Sequence, residues 1–385
     1  MGSTYEKRMG SWRTKSDGYL TSFDRRFLSL SRGYGGWLNY HAHPNRAYIS
    51  EYFLAAHGSA SKFSMKQKQN LIAAIHENSS YKKTLSQRME RLLSEMQRLG
   101  TRRLYGFVDV APSCGLDGIN AALKVKRKYA GRVDFQIGAY SVLGLGSLKD
   151  ERWKLFAKAA AFADFLGGLP EKDDKPGAMG SLQSMKAMLK LGVKLHKEVH
   201  FHVDQKNHPD ERMTEMLVEA VRAVGSPKVK GQNGTTVWAV HSISPSCYQE
   251  KRLQTLIASL KRFNIGVVCC PNTISMMQLE NSNAPIHNCL PPVLRLLEAG
   301  VEVRIGSDNI EDHYMPNGTP DLSRDVYLLS NAVRYYDADL YARLCCGKRP
   351  TVQQRKEIRA YLKNAEKAMA KSVADIKYQN RKNRM

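Results

Sequence analysis

"GGWLNYHAHPNRAY", residues 35–48, closes an apolar run on two histidines one residue apart. On a strand, side chains alternate between faces, so residues i and i+2 point the same way. His41 and His43 are therefore expected to leave one strand together, as two imidazoles offered to one metal ion. A lone H-x-H among eleven histidines is a weak signal. What the pair does depends on what the rest of the chain brings to it.

Seven further runs read as strands: residues 102–110, 133–141, 160–170, 198–205, 235–242, 264–273 and 301–309. With 37–43 they make eight. Helical patterns lie between them. "TLSQRMERLLSEMQRLG" (84–100) carries apolar residues at helical spacing and ends on Gly100, a C-terminal stop signal. Residues 181–197, 209–225, 244–264 and 291–300 continue the alternation, and "HPDERMTEM" (208–216) reads as a helix start with acids in its first turn. Strand and helix alternating eight times predict an α/β fold, a (β/α)8 TIM-like barrel, with an open doubly wound sheet as the rival.

A barrel places its chemistry at the C-terminal ends of its strands. The first run ends on His41 and His43, the second on Asp109, the fifth on His202, Asp204 and Gln205. The sixth ends on His241 and the eighth on Asp308 and Asn309. His41, His43, His202 and Asp308 supply three imidazoles and one carboxylate, a set that suits one divalent ion: zinc foremost, with iron or manganese as alternatives. Such an ion lowers the pKa of bound water from near 16 to about 7. His241 is read as the group that orients that water or steadies charge on the substrate. Asp308 is read as both ligand and proton acceptor.

These residues resemble the amidohydrolase superfamily, specifically its mononuclear cytosine-deaminase-like branch. The likeness lies in "HAH" after the first strand, "HVDQ" (202–205) after the fifth, "AVHS" (239–242) after the sixth, and "GSDNIEDHYMPNGT" (306–319) after the eighth. The last is similar to that branch's G-x-D-D-x-x-D-x-x-x-P-x-G-T. The resemblance spans residues 37 to about 330. It implies a distorted barrel and one catalytic metal held by His41, His43, His202 and Asp308. It also implies His241 beside the water, and hydrolysis of a C–N bond in a nitrogen heterocycle or amide: deamination, release of an N-substituted amine, or opening of a cyclic amide. Binuclear relatives bridge two ions with a lysine at the end of strand four. Here that strand ends "DFLGGLP", with Lys172 beyond the turn, which favours one ion.

Three departures redirect the chemistry. Gln205 stands where cytosine deaminases carry a proton-shuttling Glu, and an amide does no acid–base work. Val142, in "YSVLG", stands where they hold the pyrimidine with a Gln. Pro44-Asn45-Arg46 replaces the L-D-[KR] that follows H-x-H in many relatives. Cytosine itself is not the expected substrate. The family's accessory β-sandwich is expected to be absent or vestigial, because the chain divides into a basic N-terminal segment (1–36), the barrel (37–345) and a basic helical C-terminal segment (346–385).

Around this set, Asn309, Asp312 and Arg46 are assigned to substrate binding together with Val142. Asn309 is expected to donate to a ring nitrogen, and Arg46 to meet an acidic substrate group or else lie on the surface. His313 is grouped with Asp312 in the mouth loop. His200 is expected inside the barrel as a core histidine. Asp109 is expected to hold a ligand histidine or cap a helix. His57, His76, His196 and His287 receive no role.

The 385 residues carry 59 Lys and Arg against 36 Asp and Glu, a net charge of +23. That excess points to an anionic partner, an acidic small molecule or nucleic acid. No RNA-binding signature or zinc-finger spacing accompanies it, so nucleic acid is not favoured. No apolar run reaches eighteen residues and no secretory signal is read, so no membrane contact is expected. Seven cysteines without framework spacing suit reduced thiols and a cytoplasmic location. A homo-oligomer is compatible with all of this. Two other functions compete with the hydrolase: a catalytically silent barrel that binds a ligand or partner, motivated by Gln205, and a basic nucleic-acid-associated protein.

Overall fold

The computed structural model describes residues 20–59, 62–275 and 289–382; His287 lies outside them. The strands are β1 (Trp37–Ala42), β2 (Thr101–Asp109), β3 (Asp134–Ser141), β4 (Phe165–Gly168), β5 (Val199–Val203), β6 (Val237–His241), β7 (Ile265–Cys269) and β8 (Val303–Ile305). They form one sheet in sequence order, with every neighbouring pair parallel. The edges meet: Ala42 bridges Asp308 in parallel, and the Asp308 N–H donates to the His41 carbonyl at 2.8 Å. A nearly closed (β/α)8 barrel results, and the open-sheet rival falls. All described strands belong to this sheet, so no accessory sandwich is built from the described residues.

Two expected boundaries shift. The fourth strand begins at Phe165, because Ala160, Ala161 and Phe162 complete the helix Glu151–Phe162. Alanine is the best helix former, and the apolar run around it suits either state. The helix after β5 begins at Met213, so Asp210 and Glu211 precede it. Its cap comes from the strand end instead: the Asp204 carboxylate accepts from Met213 N at 2.7 Å and Thr214 N at 2.9 Å. The helix Ser79–Leu99 stops as expected at Gly100, whose φ of 93° is the left-handed conformation glycine tolerates.

The strands are buried on both faces. His200 lies inside the barrel, as expected. Its Nε2 is 3.2 Å from Glu198 Oε2, which also accepts from Trp238 Nε1 at 2.9 Å, and its ring packs on Phe165 with centroids 4.6 Å apart. Outside the sheet, the helix Ser22–Gly33 is capped by Thr21 and Asp24 and stacks Phe27 on Trp37 of β1. The helix Val352–Lys382 seats Ile358 in the core, and Arg359 pairs with Glu298 at 2.6 Å. All seven cysteines are free. Among the described residues no helix is long and apolar enough to cross a membrane.

The seam between β8 and β1 depends on one small residue. Asn39 donates to Ser307 Oγ at 2.8 Å and accepts from Ser307 N at 3.2 Å. Just before them, a Cβ on Gly306 would stand 2.5 Å from His41 Cβ and 2.8 Å from His41 N. Neither backbone can yield without opening the barrel. Gly306→Ala is expected to lower the urea unfolding free energy by about 1–3 kcal/mol. An unchanged midpoint and slope would show that the seam does not need the glycine.

Candidate metal centre and pocket

Four strand ends converge at the C-terminal mouth. His41 and His43 leave β1 with ring centroids 4.9 Å apart and planes perpendicular. The His202 ring from β5 lies 4.7 Å from His41 and 5.6 Å from His43. His241 from β6 lies 5.2 Å from His202. The Asp308 carboxylate enters after β8, with Oδ1 3.2 Å from Nε2 of both His41 and His43, and Oδ2 3.9 Å from His241 Nε2.

These groups are buried, and their atoms face one another without bonding. Among the described residues, His41 Nδ1 and Nε2, His202 Nε2 and both oxygens of Asp308 have no hydrogen-bond partner. A buried polar atom left unpaired costs about 1–3 kcal/mol, so several at one point make a candidate site for a common cation. Protonation states agree. Burial, with Arg46 beside it, pushes His43 down to about 3. Burial pushes His241 down to about 4 and His202 well below the usual imidazole range. Burial would raise Asp308, but His41 and His43 outweigh it and hold the carboxyl well below its usual range. Neutral imidazoles and a carboxylate are the forms that bind metal. His202 is also pre-set: its Nδ1 lies 3.2 Å from the Gly168 carbonyl at the end of β4, leaving Nε2 to face the cluster. A divalent ion therefore fits this donor set.

Proximity alone groups the donors somewhat differently from the sequence. Ligand atoms of His41, His202 and His241 lie within 4.8 Å of one another, and so do those of His41, Cys270 and Asp308. His43 reaches the cluster through Asp308, whereas His241, assigned to the water, stands among the ligands. Cys270, just past the end of β7, received no role as a ligand. Burial raises its thiol well above the usual range, which disfavours the thiolate a metal needs.

Strain marks the same places. Asp204, His241, Ser242 and Asp308 hold left-handed backbone, with φ of 52°, 71°, 49° and 59°. Non-glycine residues in that region cost on the order of 1–3 kcal/mol each and cluster at functional sites.

A pocket opens over the cluster, lined among others by His43, His202, His241 and Asp308. Val142, Asn309 and Arg46 line it, as does Gln205, together with the apolar Ile72 and Leu169. Gln205 is half-buried. Asn309 also donates to Asp312 through its amide nitrogen. Asp312 sits behind the lining, accepting from Tyr314 N at 2.8 Å and Met315 N at 2.9 Å, with its carboxyl pushed up to about 6 by burial. His313 is buried against Phe53 and Tyr314.

Two expectations need correction. Arg46 is not on the surface: it is 3% exposed, with Nη1 2.8 Å from Asp109 Oδ1. Asp109 holds no ligand histidine and caps no helix; it grips Arg46 and His76, because β2 ends beside the loop after β1. Sequence reading missed His76, Tyr140, Tyr314 and Gln69. Tyr140, next to last in β3, was within reach of the strand-end rule; His76 lies on a helix and nothing local marks it.

No family model matches the chain. An uncharacterized protein of Haemophilus influenzae is 27% identical over 263 residues, covering 67% of this chain and 89% of its own. The uncharacterized protein YahJ of Escherichia coli is 24% identical over 237 residues, 61% of this chain and 46% of its own. Among solved structures, 5-methylcytosine deaminase from Klebsiella pneumoniae superposes with a TM-score of 0.69 at 21% identity, covering 79% of this chain and 70% of that one. N-isopropylammelide isopropylaminohydrolase from Burkholderia multivorans gives 0.61 at 20% identity, over 80% and 71%. N6-methyl-AMP deaminase from Arabidopsis thaliana gives 0.54 at 12% identity, over 88% and 98%. These neighbours are amidohydrolase-superfamily enzymes. At such identities the likeness establishes a shared fold.

Purified protein reconstituted with zinc is expected to hold one ion per chain and to gain about 2.7 kcal/mol of stability at a hundredfold excess over Kd. His41→Ala and His202→Ala should lose the ion, and Cys270→Ser should keep it. Elemental analysis decides; undiminished zinc in His202→Ala would break the proposed ligand set.

Proposed function

We propose that this chain is a metal-dependent hydrolase of the amidohydrolase superfamily, in its mononuclear cytosine-deaminase-like branch, cleaving a C–N bond of a small nitrogen heterocycle. The observation that carries the reading is the set of unpaired, buried donor atoms of His41, His202 and Asp308 at one barrel mouth. His41, His43, His202 and Asp308 would hold the metal, zinc by preference for this donor set. A divalent ion bound there supplies Lewis acidity and a water acidic enough to attack at neutral pH.

The chain's own groups then divide the work. Asp308 Oδ2 and His241 Nε2, 3.9 Å apart, are the pair suited to take and return a proton. Gln205 can hydrogen-bond the substrate but cannot shuttle a proton. Ile72, Val142 and Leu169 offer an apolar surface where a cytosine site would need an amide. An alkyl group on the departing nitrogen suits that surface. The name of the Burkholderia neighbour describes such an amine release, and we extend that chemistry to this chain in preference to cytosine deamination. Seven free thiols suit a cytoplasmic enzyme.

The second reading is a barrel that binds its ligand without turning it over. Gln205 at the shuttle position favours it. The two part on one experiment: zinc-loaded protein is screened against a library of N-alkylamino heterocycles, aminopyrimidines and lactams for released amine, ammonia or opened ring. Release that disappears in Asp308→Ala supports the hydrolase; one bound zinc with no turnover anywhere supports the silent barrel.

Gln205→Glu probes the departure itself. A positioned acid–base group contributes about 100-fold or more, so ammonia release from an aminopyrimidine is expected to rise at least about tenfold. No rise would mean that a lost shuttle is not what limits deamination.

A further inference from the structure

Arg46 is one of the most buried charges in the protein, yet it lines the candidate metal pocket. Its Nη1 lies 2.8 and 3.0 Å from the two oxygens of Asp109. His76 Nε2 is 2.9 Å from Asp109 Oδ2, and His76 Nδ1 is 2.9 Å from Ser113 Oγ. A carboxylate only accepts, so Nε2 carries the proton, and in the neutral ring Nδ1 accepts from the Ser113 hydroxyl. Ser113, His76 and Asp109 thus form one chain of hydrogen bonds that ends on the guanidinium.

That chain occupies Nη1 alone. Among the described residues none accepts a hydrogen bond from Arg46 Nε, and Asp312 Oδ2 comes no nearer it than 4.0 Å. The Tyr314 and Tyr140 rings flank the guanidinium, with centroids 5.5 and 6.0 Å from Cζ. A buried cation with a donor to spare, held rigid beside a pocket, is matched by an oxyanion, the acceptor with which a guanidinium makes its shortest and strongest hydrogen bonds.

The approach to the pocket carries the same sign independently. Lys172 reaches Gln69, a lining residue, and Lys68 Nζ donates to the Tyr314 carbonyl at 3.2 Å. Burial lowers the Lys172 ammonium; Glu171 beside it acts the other way, and Lys175, Lys66 and Lys206 add to the lowering. Clustered lysines at a cleft raise the local concentration of anions and speed their capture.

We propose that His76 and Asp109 are positioning residues which fix Arg46 toward the pocket, and that the substrate is an anionic heterocycle whose charged oxygen Arg46 receives. This rests on the hydrolase reading and adds the charge of its substrate. The zinc-loaded full chain is titrated at pH 7 by calorimetry with two probes: barbituric acid, a monoanion, and uracil, a neutral ring of the same type. Wild type is expected to bind barbiturate at least about tenfold more tightly, and the preference should shrink as salt rises. Arg46→Gln should reduce the preference to about twofold with little change for uracil. His76→Asn, too short to reach Asp109, should do the same, while His76→Gln keeps a donor near Nε2 and should restore it.

Equal affinity for both probes in the zinc-loaded wild type overturns the anionic class. A uniform loss of both ligands in His76→Asn, without rescue by His76→Gln, overturns the positioning role. If His76→Asn does not fold, Arg46→Gln with the same two probes still decides the substrate charge. Zinc content and amine release remain separate readouts, so a failed preference in a protein that holds metal and releases amine counts against this inference alone.

Discussion

The constraint on which the structure depends is the crowding of hydrogen-bond acceptors that have no donor. His202 Nε2 and the two oxygens of Asp308 are all buried, as is His41, with neither ring nitrogen partnered. Side chains placed only for packing would avoid this. A ring nitrogen 3.2 Å from a carboxylate oxygen repels it unless a proton or a metal ion stands between them, and the low-dielectric interior makes the repulsion stronger. Burial keeps His43, His202 and His241 neutral, so each ring retains one nitrogen lone pair for a metal ion. On the proposed reading a divalent cation would stabilise this arrangement.

The same atoms close the barrel. The hydrogen bond from Asp308 N to His41 O joins the last strand to the first between two candidate ligands. Asn39 and Ser307 lock the next step of the seam, and Gly306 lets the two backbones approach. Fold and site are therefore one feature. A cation drawn to His41 and Asp308 would pull the two edges of the sheet together, and edges held together fix the ligands. The left-handed backbone at His241 and Asp308 is stable only because the neighbouring strands determine it from both sides.

This coupling explains what was legible in the sequence. The eight strands stand out because each is a short apolar run between amphipathic helices, and the barrel's rule about strand ends then selects His41, His43, His202, His241 and Asp308. What escaped depends on contacts that no local pattern carries. The helix after β5 is capped by Asp204, nine residues before its first turn, so the acids of 210 and 211 mislead. The start of β4 is lost in an alanine run whose helical preference prevails. His76 and Asp109 are 33 positions apart and meet only in three dimensions. Cys270 is one of seven cysteines read only as reduced thiols, and only the folded chain sets it beside His41 and Asp308.

The departures from the cytosine-deaminase pattern form a coherent set once they are placed in space. Val142 removes an amide from the pocket lining, Gln205 removes an acid from its rim, and Arg46 adds a buried cation that Asp109 holds in place. A neutral aminopyrimidine would gain little from any of these changes. It would lose the amide that orients it, and it would leave the guanidinium's free donor without an acceptor. A ring that carries its own negative charge reverses each term. It needs no amide, because a charge-assisted bond orients it. On the proposed reading, an alkylated nitrogen would leave against the apolar surface of Ile72, Val142 and Leu169. On the proposed reading, Asp308 and His241 then suffice as the proton-handling pair, and a carboxylate at 205 would add a second negative charge beside an anionic substrate. The glutamine there is as consistent with a changed substrate as with a lost activity.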